Sequence, residues 1–84
     1  MKLQSSAQNY DQGLLEVQNL KTIGRVLRKK RQQMGMTQAE AAGLCNVGIR
    51  FMSELENGKP TMHFDKALKV LKSFGLIIYM RERS

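Results

Sequence analysis

Apolar residues recur in three- and four-residue steps along two stretches of this chain, with a shorter and denser pattern between them. In the first stretch Leu20, Ile23, Leu27 and Met34 keep helical spacing, which predicts one inward face. Asn19 can cap that helix, and Gly35 ends it. In the last stretch Phe64, Leu68, Leu71 and Phe74 form a second inward stripe, with Pro60 ahead of it, Thr61 as its expected cap and Gly75 as its stop. Lys66, Lys69 and Lys72 stand three apart on its outer face. Between the two, residues 37–58 read as two short helices joined by a tight turn. Thr37 and Glu40 make a T-x-x-E capping box at the first of these. Ala39, Ala41, Ala42, Leu44 and Cys45 follow, small or apolar, so this helix can pack closely on a neighbour. Asn46 tolerates the left-handed backbone of a tight helix stop, and Val47 is placed to fill the core between the helices. Gly48 is a permissible cap for the second helix. There Met52 and Leu55 face inward, Ile49, Arg50, Ser53 and Glu54 fall on other faces, and Asn57-Gly58 suits a C-terminus.

The flanks follow neither pattern. Residues 1–13 are polar and expected to be disordered, and Leu14–Val17 reads either as a short strand or as an apolar lead-in, so residues 1–18 are expected to be a flexible tail. At the other end Leu76, Ile77, Ile78, Tyr79 and Met80 are β-branched, aromatic and apolar, in a run too short for a helix. Leu76, Ile78 and Met80 share one face, and Ile77 and Tyr79 the other. The run is either an apolar tail laid on the helices or a strand. A lone strand leaves backbone groups unpaired. Pairing with the same strand of a second subunit answers that need, so these five residues are the expected dimer interface. Residues 76–84 are then a dimerisation strand and tail, attached to a helical domain over 19–75.

Composition narrows the function. Eighty-four residues make one small domain, near the size where burial barely exceeds chain entropy. The net charge is +7. Six of the 14 basic residues fall between Lys21 and Arg31, and no acidic residue occurs between Glu16 and Glu40. Such a run is often only a solvated helix face. Beside two helices joined by a tight turn it suits a phosphate backbone better. No segment reaches the ~18 apolar residues of a membrane span, and no signal peptide is recognisable, so a cytoplasmic location without membrane contact is expected. Cys45 and His63 are each the single residue of their type, which makes no metal site of usual ligand type. Among alanines, Cys45 reads as a small buried hydrophobe in preference to a reactive thiol. The carboxylates are scattered and no nucleotide-binding glycine loop is present, so no catalytic residue, metal or cofactor is expected.

The run GMTQAEAA…VGIRFMSELENGKP resembles the Cro and phage-repressor type of helix-turn-helix domain, the XRE family. The resemblance rests on Thr37, Gln38, Glu40 and Ala42 in the first motif helix, on the core residues Val47, Met52 and Leu55, and on the exit Glu56-Asn57-Gly58. It is specific over residues 23–60 and extends to about residue 75. Two departures stand out: the family usually has Gly where this chain has Asn46, and often a large aliphatic at Ala41. The implied fold is mainly α, a four- to five-helix phage-repressor-like domain with a short C-terminal β-strand pairing across a homodimer. The ending LKSFGLIIYMRER further resembles the HipB-like antitoxins. Those proteins pair C-terminal strands across the dimer, repress their own operon and bind a HipA-type Ser/Thr kinase toxin.

The resemblance also implies roles. The second motif helix enters the DNA major groove, with Ile49, Arg50, Ser53 and Glu54 at base-facing positions. Arg50 can grip guanine through two hydrogen bonds, and Ile49 can touch a thymine methyl. Glu54 can accept from a cytosine amine, act as a repulsive filter, or partner Arg50. Thr37, Gln38, Asn57 and Lys59 match phosphate-contacting positions. Arg31 and Glu56 match a structural ion pair. Phe51 either packs on the first motif helix or meets a thymine methyl. The expected partner is a palindromic double-stranded operator bound by a homodimer, with a HipA-type kinase as a second partner. The alternatives are a stand-alone phage-type repressor without a toxin, or a protein-binding subunit that keeps the motif as scaffold. An RNA reader is disfavoured because Phe64 and Phe74, two of five aromatics, are expected to be buried.

Overall fold

The computed structural model describes residues 14–61 and 63–83, so the tail expected over residues 1–13 lies outside the described residues. The described residues hold four helices: α1 (Leu20–Gln33), α2 (Gln38–Cys45), α3 (Ile49–Glu56) and α4 (Phe64–Ser73). Asn19 caps α1, its side chain accepting from the Thr22 amide at 3.2 Å. The Thr37–Glu40 capping box forms in both directions, Glu40 N–H to Thr37 Oγ1 at 3.1 Å and Thr37 N–H to Glu40 Oε1 at 2.9 Å. Gly48 precedes α3 without a side-chain cap.

Each helix ends the same way. One or two residues past the last helical one, the backbone turns left-handed: Gly35 (φ 71°), Asn46 (φ 57°), Gly58 (φ 74°) and Gly75 (φ 73°). The amide after it then reaches back five residues, as in Met36 N–H to Arg31 O at 3.2 Å and Leu76 N–H to Leu71 O at 2.9 Å. This is the Schellman arrangement, which brings the following side chain back onto the helix. Met36, Val47 and Leu76 occupy that place after α1, α2 and α4, and all three pack on the core.

The core is built from Leu27 of α1, Ala41, Ala42 and Cys45 of α2, Met52 and Leu55 of α3, and Ala67, Val70, Leu71 and Phe74 on the α4 side. α3 packs on both α1 and α2, and α4 packs on α2. Ala41 and Ala42 of α2 are both buried there. Cys45, 2% exposed, is a buried free thiol.

Three expectations need correction. Met34 is 50% exposed, because α1 stops one residue before it and Met36 folds back into the core instead. The α4 stripe is shifted: Phe64 is 54% and Leu68 38% exposed, while Ala67 and Val70 are buried. Ala67 and Val70 lie in the core instead, and α4 packs on the alanine-bearing α2. Of the two aromatics expected to be buried, Phe74 is buried and Phe64 is not. Thr61 does not cap α4. His63 holds the cap position, and Thr61 Oγ1 accepts from its amide at 2.9 Å in the preceding turn. Residues 14–17 follow the apolar lead-in alternative, and residues 76–80 form no strand within the single chain, where none was expected without a partner. A strand is defined by a ladder to a neighbour, and the neighbour expected for residues 76–80 is a second copy.

Candidate nucleic-acid interface

Gly24 sets where this surface sits. It is buried on the inner face of α1, and a Cβ there would press into the Glu56 carbonyl group, 2.7 Å from its carbon and 2.7 Å from Leu55 O. Only glycine lets α1 meet the backbone at the end of α3 this closely. Gly58 makes a second close approach, where a Cβ would lie 2.7 Å from Lys21 Cα. The exit of α3 is thereby fixed against α1 at two glycines.

An ion pair locks the same junction. Arg31 donates to Glu56 from Nε (2.6 Å to Oε2) and from Nη2 (3.0 Å to Oε1), with side chains 9% and 1% exposed. Arg31 Nη1 also donates to Met36 O at 2.7 Å, and Gln38 Nε2 donates to Glu56 Oε1 at 3.0 Å. One buried carboxylate thus ties together the end of α1, the start of α2 and the end of α3. Burial alone would push the Glu56 carboxyl up. The hydrogen bonds from Arg31 and Gln38, with the charge of Arg31, reverse that and hold it below the ordinary carboxylate range. The bond to Glu56 likewise raises Arg31. Among the described residues no buried side-chain polar atom lacks a partner.

The outer face of α3 carries the residues proposed from the sequence. Ile49 is 53% exposed at its first position, and Arg50 follows with its side chain 87% exposed. Ser53 and Glu54 lie one turn further on, half-buried. The first turn of α3 holds no acidic residue, so its positive dipole end and Arg50 present one electropositive point. Arg50 Nε donates to Glu54 Oε2 at 3.2 Å, and Lys59 Nζ donates to the same oxygen at 3.3 Å. Arg50 first and Lys59 second hold the Glu54 carboxyl below its ordinary value.

Thr37 and Asn57 are exposed, at the cap positions of α2 and α3. Gln38 is half-buried, with its amide nitrogen turned to Glu56. Phe51 packs against the core, and Lys66 Nζ lies 5.1 Å above its ring, a cation–π contact from α4. The structure therefore brings Arg50, Glu54 and Lys59 together and joins Gln38 to the Arg31–Glu56 pair. Reading the residues alone missed the close approach at Gly24, the contact of Lys66 with Phe51 and the bond from Gln38 to Glu56. An isolated glycine inside the α1 pattern was the available sign of the first.

No helix among the described residues is long and apolar enough to cross a membrane, and no group of His, Cys, Asp and Glu there could hold a metal ion. Solved chains share the fold. One, described as MDT Protein, and another, from a structure of a HipA-HipB-O2-O3 complex, each superpose with a TM-score of 0.71 at 21% identity, over 84% of this chain and 100% of theirs. An uncharacterised HTH-type transcriptional regulator of Sinorhizobium fredii, y4mF, is 43% identical over 56 residues, which is 67% of this chain and 74% of that protein. The helix-turn-helix family model matches residues 27–76, from the middle of α1 to the residue after Gly75. The chain belongs to the XRE-type helix-turn-helix family, a family of DNA-binding transcriptional regulators.

Proposed function

We propose that this protein binds DNA sequence-specifically as a homodimer and represses transcription of its own operon, with a HipA-type kinase as its protein partner. The observation that carries the DNA reading is Arg50. It stands 87% exposed in the first turn of α3, and only its Nε is held by Glu54. Its two Nη groups are left to face a guanine edge. Thr37, Gln38, Asn57 and Lys59 flank it as phosphate contacts. Gln38 can serve there while its nitrogen stays on Glu56, because the first amides of α2 have no acceptor inside the helix and suit an anion.

Residues 19–75 act as the DNA-binding unit and residues 76–84 as the dimerisation segment. Supporting the second role is apolar exposure: Ile77 is 66%, Tyr79 47% and Met80 98% exposed, while Leu76 is anchored on the core. An open groove runs beside it, lined by Leu14, Val17, Ile23, Val26 and Leu71 with Ile78. Strand pairing across a two-fold axis would satisfy the backbone of residues 76–80 and set two α3 helices about one DNA turn apart.

Mobility-shift and footprinting assays on the DNA upstream of its own gene test the reading. Protection of a palindrome, with affinity at least ~10³-fold above random DNA, is expected. Equal affinity for both DNAs at physiological salt overturns it. Co-expression with a HipA-type kinase tests the antitoxin reading. Failure to co-purify, with operator binding intact, leaves a stand-alone repressor of the phage type.

A further inference from the structure

The carboxylate of Glu54 is placed where a DNA phosphate would be unwelcome, yet it takes a hydrogen bond from each of the two cations that flank it. Arg50 and Lys59 both donate to Oε2, at 3.2 and 3.3 Å. Two of the three residues share α3 and the third lies beyond it. Arg50 is in the first turn of α3 and Glu54 one turn later. Lys59 lies beyond the helix, turned back by the left-handed Gly58 and the Lys59 N–H to Glu54 O bond at 2.9 Å. The triad is thus built by the α3 exit, and its side chains remain open to solvent, 87% for Arg50, 61% for Lys59 and 36% for Glu54.

We propose that Glu54 is a specificity-determining residue that acts as an internal stand-in for phosphate, holding Lys59 off non-cognate DNA and aiming Arg50 at the base edge. The proposal rests on the DNA-binding reading above. In free protein one negative charge offsets two positive ones at the centre of the surface. On random DNA, Lys59 must leave Glu54 to reach a phosphate, and Glu54 then repels the backbone. On the cognate operator the guanine contact of Arg50 compensates, because Glu54 holds Nε and leaves both Nη groups pointed outward. Non-specific affinity is thereby lowered while specific affinity is kept.

The magnitude follows from counterion release. If loss of the Glu54 charge lets one more phosphate be neutralised, the slope of log K against log salt steepens by about 0.9. At 0.15 M salt that is about a fivefold gain on random DNA. Glu54→Gln keeps the shape and removes the charge. It is expected to bind a random-sequence duplex about fivefold more tightly with the steeper slope, and to lower the ratio of upstream-fragment to random binding, because Arg50 is no longer aimed by Glu54. In Glu54→Gln/Lys59→Met the gain on random DNA and the extra slope should vanish, since Lys59 is the cation released. Circular dichroism of each variant checks that the helices persist. Unchanged random-DNA affinity and slope in Glu54→Gln, with the parent binding DNA normally, overturns the proposal and leaves the DNA reading intact. A gain that survives in the double variant also overturns it. Failure of the parent to bind either duplex at low salt instead defeats the DNA reading, and the proposal with it.

Discussion

Replacing Arg31 with Met should remove most of the stability of this domain. Methionine preserves much of the apolar stem of Arg31 but none of its donors. Glu56 would keep only the bond from Gln38, and Met36 O would lose its side-chain donor. The Glu56 side chain is 1% exposed, so water does not replace what is lost. Breaking a buried pair from one side costs about 3–5 kcal/mol. A domain of this size holds on the order of 5–10 kcal/mol in total. The midpoint should fall by on the order of 20 °C, at ~4–8 °C per kcal/mol.

The pH dependence carries the sharper test. In the parent the folded Glu56 carboxyl sits below its unfolded value of about 4.3. Its contribution is therefore fully present above that value and is lost as pH falls through the depressed folded one. In Arg31→Met burial remains while the partner is gone, so the folded value rises above the unfolded one and the penalty is largest at neutral pH. The gap between parent and variant should close as pH drops from 7 toward 4. Urea unfolding followed by circular dichroism, at one fixed protein concentration and a series of pH values, reads both quantities. A gap below about 1 kcal/mol at pH 7, or one independent of pH, would refute the reasoning. Arg31→Met/Glu56→Met should recover much of the loss, because an apolar pair leaves no charge stranded.

Three further outcomes follow from the same structure. Gly24→Ala should destabilise by more than the ~1 kcal/mol that a helical glycine-to-alanine change normally gains, since its Cβ would meet the α3 backbone; a stabilised variant in thermal melts would contradict the close approach. Arg50→Ala should cost about 1–3 kcal/mol on the operator and far less on random DNA, read by titration, and equal losses would remove Arg50 from base reading. Ile78→Pro should convert a dimer to a folded monomer with much weaker operator binding in sedimentation and mobility-shift experiments, and a variant that stays dimeric would place the interface elsewhere.

What could be read from the residues follows the range of the interactions involved. The capping box at Thr37, the left-handed Asn46 and the stop at Gly75 are local, and the structure has them where the residues predict. The inward positions Leu27, Met52, Leu55, Leu71 and Phe74 also came from spacing alone. The misses are relations between elements. Spacing cannot distinguish a stripe through Phe64 and Leu68 from one through Ala67 and Val70, because the choice depends on how small the facing helix is. Met34 lost its inward place to Met36 because the Schellman turn redirects the chain after α1. The two shared carboxylates were equally hidden. Each residue could be given one partner from the family pattern, but only the fold shows Glu56 serving both Arg31 and Gln38, and Glu54 serving both Arg50 and Lys59.

Those two carboxylates divide the work of one short helix. Both belong to the last turn of α3 and the residues just before it, yet one is buried and the other open. Glu56 faces inward and fixes the angle between α1, α2 and α3 through charge that solvent cannot screen. On the DNA-binding reading proposed above, rigidity there would matter, since a base contact and the flanking phosphate contacts would have to be met together, and loose helices would lose entropy on docking. Glu54 faces outward, where its bonds to Arg50 and Lys59 are weak and exchangeable. A strong pair on that face would oppose DNA, and a weak one in the core would let the helices drift. Glu54→Gln and Arg31→Met should therefore separate cleanly. The first should alter specificity and salt slope with little change in unfolding. The second should lower stability while leaving the salt slope near that of the parent at temperatures where the variant remains folded.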